Sequence, residues 1–351
     1  MTSILNVKDE PIFDDRIVKI ETHTYNPFAN TTFEHSDEIR IPIQQQDLYT
    51  LPSESFLYIE GKLTIKKPAE GSDVTLGNNC IAFMFDEIRY ELDGVEIDRN
   101  RNVGITSSLK NYVTMSSDRS VIARNAGWDP WNLPNGYFNF CVPLNMLLGF
   151  YEDYRRVVIN ARHELILIRA RNDNNCLVGS VRVSAIATHN PTFVGHKTAT
   201  QLEKPRYIIF ALQAGRKNVM LEDASRFDHY KLTNVKLYLN SECYPYDDMN
   251  LDFEKNKWSI LYDTYTRFCK TYYGYDYLEP NQTVTTFRQK GPFVIIDCSR
   301  QNESVKSATV DVRLKFECKE NVPASTTAYC LIIHDRVVQY NPLTNVVRKI
   351  T

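Results

Sequence analysis

The chain has 351 residues, 43% of them hydrophobic and 24% charged, a length and balance that allow one large or two ordinary cores without metal or disulfide staples. Its 41 Lys and Arg against 43 Asp and Glu give a formal charge of -2, which leaves no cationic excess to neutralise a nucleic-acid backbone, so no direct nucleic-acid site is expected. No run approaches the roughly 20 apolar residues that span a bilayer, and no basic-then-apolar leader opens the chain, so a soluble, intracellular protein without membrane contact is expected.

At the N-terminus Lys8 stands against Asp9, Glu10, Asp14 and Asp15, the wrong sign for a basic packaging arm and typical of a solvated terminus. Strand-like segments follow at 16–22, 38–43, 56–65 and 88–92, each bounded by Asn, Asp, Gly or Pro. Within 56–65 a continuous apolar run gives way to alternation, which suits a strand buried at one end and solvated on one face at the other. A helix is predicted over 106–115, with Leu109, Tyr112 and Val113 on one face. Next come a strand at 137–142, a helical turn at 144–150 behind Pro143, and a strand at 157–169.

Aromatic residues then thin out through Asn172-Asp173-Asn174-Asn175 and 179–196, the expected boundary. Beyond it strands are predicted at 206–212, 231–239, 293–297, 308–318 and 328–340. From Val310 to Cys318 apolar and polar residues alternate strictly, the clearest half-buried strand in the chain. A second helix is read from Trp258, Leu261, Tyr265 and Phe268, with Asp247, Asp248 and Asp252 upstream where a helix dipole favours acids.

The two halves share an order of features. Arg89-Tyr90-Glu91-Leu92-Asp93-Gly94 runs from strand to turn before the first helix, and Lys236-Leu237-Tyr238-Leu239-Asn240-Ser241 does so before the second. An aromatic-led strand and then a longer strand follow each helix, the longer ones ending at Arg169 and Cys318. The predicted fold is therefore all-β: two tandem jelly-roll β-sandwiches, a double jelly roll with short connecting helices. An N-terminal arm and first jelly roll would occupy 1–178, an atypical junction 179–196, and a second jelly roll 197–351. Four strands precede the first helix but only two or three the second. The second sandwich thus reads either as incomplete or as receiving its missing edge from elsewhere.

Candidate chemistry is thin. Cys80, Cys141, Cys176, Cys243, Cys269, Cys298, Cys318 and Cys330 are scattered singly and read as reduced packing residues. The sequons at Asn30, Asn281 and Asn302 are expected to stay unmodified without an export signal. His163-Glu164, His189, His196 and His334-Asp335 lack ligand spacing, so no metal is expected. Glu152-Asp153 and Asp247-Asp248 are adjacent pairs that diverge on a strand, and fit turns and helix starts better than acid–base work. Arg155-Arg156 and Arg99-Asn100-Arg101 suit solvated faces or salt bridges, and the Tyr-rich stretch 262–277 suits a core or subunit contact.

Several segments carry a family resemblance: 90–100, 137–153, 163–169, 204–225, Leu239-Asn240-Ser241-Glu242-Cys243-Tyr244-Pro245-Tyr246-Asp247-Asp248, and Gly291-Pro292-Phe293-Val294-Ile295-Ile296-Asp297-Cys298. Over about 56–178 and 197–351 the chain resembles the double jelly-roll-like domain proteins multiplied in arthropod genomes. These are similar to major capsid proteins of large DNA viruses and of Polinton-type elements. The resemblance implies a capsid-like structural protein of viral origin, not an enzyme and with no cofactor, that self-assembles as a homotrimer of pseudo-hexameric outline and resides in the virion where the copy is viral and active. One departure stands out: family members carry a longer, strand-bearing segment where this chain has 179–196, matching the strand shortage counted above. The competing reading is a domesticated carbohydrate- or protein-binding module, with Trp128 and Trp131 in Trp128-Asp129-Pro130-Trp131 as its first candidate contacts.

Overall fold

A computed structural model describes residues 21–28, 33–43, 49–63, 74–131, 136–159, 161–179, 205–220, 222–240, 242–275, 280–301 and 312–350. The N-terminal acids, most of the strand expected at 16–22, the junction beyond Gly179, His189, His196, Asn30, Asn302, Tyr277 and residues 308–311 lie outside them.

The N-terminal half runs β1 (Glu38–Ile43), β2 (Tyr49–Thr50), β3 (Phe56–Lys62), β4 (Val74–Leu76), α1 (Cys80–Phe83), β5 (Phe85–Leu92), β6 (Val95–Arg101), α2 (Val103–Thr114), α3 (Ser117–Ile122), β7 (Tyr137–Pro143), α4 (Phe150–Asp153), β8 (Val158–Ile159), β9 (His163–Arg169) and β10 (Leu177–Gly179). The C-terminal half runs β11 (Pro205–Ala214), β12 (Leu232–Leu239), β13 (Glu242–Tyr244), α5 (Ser259–Tyr273), α6 (Val284–Lys290), β14 (Val294–Asp297), β15 (Val312–Cys318), β16 (Thr326–His334), β17 (Val337–Asn341) and β18 (Val346–Ile350).

The repeated order seen in the sequence is a repeated set of pairings. Strand β5 pairs antiparallel with β9, and β12 with β15. Strand β3 pairs with β7, and β11 with β14. Each hairpin, β5–β6 or β12–β13, leads on to the long helix of its half, α2 or α5. Among the described residues the halves differ at their sheet edges. The first sheet has the order β1-β9-β5-β6, whereas among the described residues the C-terminal sheets are three-stranded, β13-β12-β15 and β14-β11-β16. Strand β9 lies between β1 and β5 and is buried along nearly its whole length, which is why Leu165-Ile166-Leu167-Ile168 reads as a continuous apolar run at its centre. Strand β15, paired on one side, keeps its alternation.

Helix α2 starts three residues before the predicted position. Asn102 precedes it at φ 49° and its side chain caps no backbone N–H, so the usual start signal is missing. In α5, Leu261, Tyr265 and Phe268 form the buried face as predicted, and Trp258 sits at the N-cap. The dipole role expected for the upstream acids is not what the fold uses. Asp248 lies in the turn after β13 and pairs with Lys236 at 2.8 Å, while Asp252 accepts from the N–H groups of Glu254 and Lys255 at 3.1 Å. The predicted turn at 144–150 divides into a 3-10 turn, Leu144–Met146, followed by α4. Helices α1, α3 and α6 were not predicted; each is too short to show helical periodicity.

One apolar cluster runs through both halves, from Ile39 to Val347. The C-terminal hairpin β17–β18 crosses back to the first half. There the Arg336 guanidinium donates to the Ile97 carbonyl at 2.7 Å, and Lys349 reaches Glu96 at 3.5 Å.

Candidate functional site

A cluster of polar and ionisable groups that links distant segments lies where the halves meet. Helices α2 and α5, the corresponding elements of the two halves, pack against each other, and Cys269 Sγ donates to the Val113 carbonyl at 3.0 Å. Tyr112 stacks on Phe293 with ring centroids 6.2 Å apart and meets Trp128 edge-on at 5.0 Å. Beneath these rings Asn78 Nδ2 donates to Ser225 Oγ at 3.1 Å and to the Tyr112 hydroxyl at 3.2 Å, while Asn78 Oδ1 accepts from the Asp129 N–H at 2.9 Å. Asn78 and Ser225 are buried, and pairing them removes the cost of hiding polar atoms within an apolar joint.

At the rim of the joint, Glu152 on α4 forms an ion pair with Lys110 on α2 at 2.8 Å and accepts a hydrogen bond from the Tyr273 hydroxyl at the end of α5. Burial, reinforced by the Glu152 charge, pushes the Tyr273 hydroxyl well above its ordinary value, so it stays protonated and remains a donor. A groove of about 580 Å³ opens beside this cluster, with Met115, Tyr151, Arg155 and Tyr275 among its walls. A second, of about 760 Å³, also spans both halves, with Glu87 and Arg101 facing Gln213 and Tyr329.

His163 is buried in a separate network. Tyr90 meets its Nδ1, and its Nε2 lies 2.9 Å from the Thr50 hydroxyl, which in turn reaches the Val158 carbonyl at 3.3 Å. One proton arrangement satisfies all three contacts: Tyr90 donates to Nδ1, Nε2–H donates to Thr50, and Thr50 donates to Val158. Burial pulls His163 down to about 4, so at neutral pH it is an uncharged ring joining β5, β9 and β2.

The other residues singled out in the sequence do not converge. Glu164 lies 3.4 Å from Arg40, Asp335 pairs with Arg206 at 2.6 Å, and the half-buried His334 contacts the Asp335 carbonyl at 3.1 Å. Arg99 and Arg101 both hold Glu87, at 3.0 and 2.9 Å, while Asn100 between them donates to the Leu147 carbonyl at 2.9 Å. Arg155 donates to the Glu152 carbonyl at 3.4 Å, while Asp153 and Asp247 are exposed. Trp128 is only 2% exposed and belongs to the joint, while Trp131 is 45% exposed, so the pair does not form a surface aromatic platform. Of the Tyr-rich stretch, Tyr265 is core and accepts from the Gln282 N–H at 2.8 Å, and Tyr262 donates to the Gln282 carbonyl at 3.0 Å. Among the described residues no three His, Cys, Asp or Glu side chains are grouped as metal ligands. The sequence marks Glu152 only as a neighbour of Asp153 and Tyr90 only as part of a strand, and gives no functional signal at Lys110, Asn78 or Ser225. Their partners lie 34 to 147 residues away, and no local signal marks them.

A sequence model of the double jelly roll-like domain matches residues 74–189 and again 182–338. The chain belongs to the double jelly roll-like domain family. The paired β5–β9 and β12–β15 frameworks are thus the described parts of its mostly β, double jelly-roll architecture. No curated protein matches the double jelly roll-like chain by sequence. Among solved structures it is similar to PBCV-1 VP54 fitted into a cryo-EM reconstruction of the virophage Sputnik, at 11% identity and TM-score 0.49, with 95% of this chain and 98% of that chain covered. It is also similar to the mavirus major capsid protein, at 9% identity, TM-score 0.46 and coverages of 96% and 93%. A cryo-EM structure of the Sputnik virophage gives 10%, 0.49, 96% and 91%.

Proposed function

We propose that the protein is a capsid-like structural protein, not an enzyme, whose copies assemble through the broad faces and loops of two jelly rolls into a trimer of pseudo-hexameric outline. Its domains would be an arm and first sandwich over 1–178, a junction at 179–196 and a second sandwich over 197–351. It works in the cell interior, and in a virion where the copy is viral and active.

The observation that carries this reading is the joint between the halves. The Asn78–Ser225 and Tyr273–Glu152 hydrogen bonds cross from one half to the other, while Tyr112 and Lys110 hold Asn78 and Glu152 in place within the first half. A tile that tessellates needs two sandwiches at a fixed angle, and a buried, hydrogen-bonded joint supplies that rigidity. Membership of the double jelly roll-like family supports the same reading. The ionisable groups point the same way, because Tyr273 and His163 are held in their neutral forms within packing networks.

Size-exclusion chromatography with light scattering on the full chain tests the proposal. Three copies per particle are expected, with contacts burying more than about 1,000 Å² each. A particle of one copy at every concentration overturns it.

A further inference from the structure

We propose that β15 is an assembly edge, pairing antiparallel with β15 of a second copy about a two-fold axis through Lys315. The sheet β13-β12-β15 would then continue from one molecule into the next. This deepens the assembly reading above and adds a two-fold contact that a trimer does not by itself contain.

The first support comes from comparing the halves. Strands β9 and β15 hold equivalent places, each antiparallel to the first strand of its half's hairpin. The far side of β9 is covered by β1 over six registered pairs, from Glu38↔Ile168 to Ile43↔His163. Among the described residues no strand covers the far side of β15. An edge strand of seven residues is a template for another strand.

Apolar exposure gives the second support. Val312, Leu314 and Phe316 share the inner row with Leu239, Leu237 and Val235, their partners on β12. Those β12 residues are buried, whereas Val312 and Leu314 are half-buried and Phe316 is 37% exposed although its ring lies 5.2 Å from Phe210. A further strand alongside β15 would cover this row.

Charge supplies the register and identifies the occupant as a second copy. Lys315 lies midway between Arg313 and Glu317, so an axis through it brings these opposite charges together in two antiparallel copies. Arg313 then stands opposite Glu317 of the second copy, twice, and Leu314 opposite Phe316, twice. Only Lys315 meets its own kind, and there Glu317 of its own strand already lies 2.7 Å away. Moving the axis to Leu314 sets Arg313 against Lys315, and moving it to Phe316 sets Arg313 against Lys319. Opposed like charges disfavour the first alternative; in the second the Arg313–Lys319 pairs offset the Lys315–Glu317 pairs, whereas the axis at Lys315 keeps both Arg313–Glu317 pairs and its like-charged Lys315 pair is screened by Glu317.

The test uses the full chain as wild type, Arg313→Glu, Glu317→Arg and an equimolar mixture of the two variants, followed by sedimentation velocity. Circular dichroism establishes that each variant is folded. Wild type is expected to show a doubling step, either dimers or pairs of trimers. Each variant places like charges opposite each other at two positions and is expected to weaken that step about tenfold or more. Mixing restores it, because a strand with two acids then faces a strand with two bases. Doubling that survives both variants, or that mixing does not restore, overturns the proposal. Trimers without doubling overturn it and leave the assembly reading intact. Doubling without trimers supports the edge and removes the trimer, and single copies throughout overturn both.

Discussion

The Tyr90 hydroxyl donates to Nδ1 of His163 across the β5–β9 pair, and both side chains are almost wholly buried. With the Thr50–Val158 chain on Nε2 this contact fixes the tautomer of the imidazole, and burial keeps the ring uncharged within the first sandwich.

Acid sensitivity follows from that neutral ring. Burial takes His163 from an ordinary 6.5 to about 4, so the unfolded chain binds a proton there before the folded chain does. The stability His163 contributes is complete above about pH 6.5 and is lost as the pH falls toward 4, by on the order of 3 kcal/mol. Urea unfolding at pH 7 and pH 4.5 should show this loss, and His163→Gln should flatten that part of the profile. An unchanged profile in the variant would remove His163 as its source.

The joint between the halves should unfold as a unit. Tyr273→Phe deletes the donor to Glu152 while leaving the ion pair with Lys110 at 2.8 Å, and should cost about 1.5 to 3 kcal/mol, the range for a hydrogen bond to a charged group. Near-ultraviolet dichroism, which reads the packed Trp and Tyr of both halves, Trp128 and Tyr112 among them, should report the same shifted midpoint as far-ultraviolet dichroism. Two separated transitions would show that the halves are not locked together.

Close packing inside the first half sets a third expectation. A Cβ on Gly104 would stand 2.1 Å from Cδ1 of the buried Phe83, so Gly104→Ala should destabilise by about 1 to 3 kcal/mol or more. At Gly149 the nearest atom to an added Cβ is Asp98 Oδ2 at 3.7 Å, and Gly149→Ala should stay within about 0.5 kcal/mol of wild type. Thermal unfolding of the two variants separates them.

The buried thiols should be silent until the chain opens. Burial pushes Cys80 and Cys298 up to about 12 and Cys269 up to about 11, so their reactive thiolate is scarce at pH 8. Mass-resolved alkylation should leave these three unmodified in native buffer and modify them in denaturant. Rapid native labelling of Cys80 or Cys298 would contradict the packing described.

What the sequence reveals divides along local and non-local lines. Strand β15 is legible because Val312, Leu314 and Phe316 alternate with Arg313, Lys315 and Glu317, and α5 because Leu261, Tyr265 and Phe268 recur at helical spacing. The start of α2 is not, since Asn102 turns into the helix without capping it. The joint is invisible for a different reason. Tyr273 and Glu152 are 121 residues apart, and only the finished fold brings them together. The shortage of strands counted in the second half bears on the junction beyond Gly179, which lies outside the described residues.

Electron microscopy of the purified full-length protein at high concentration tests the central claim most directly. Three double-sandwich molecules around a three-fold axis, six lobes in outline, are the predicted particle. Class averages containing only isolated two-lobed molecules would contradict it.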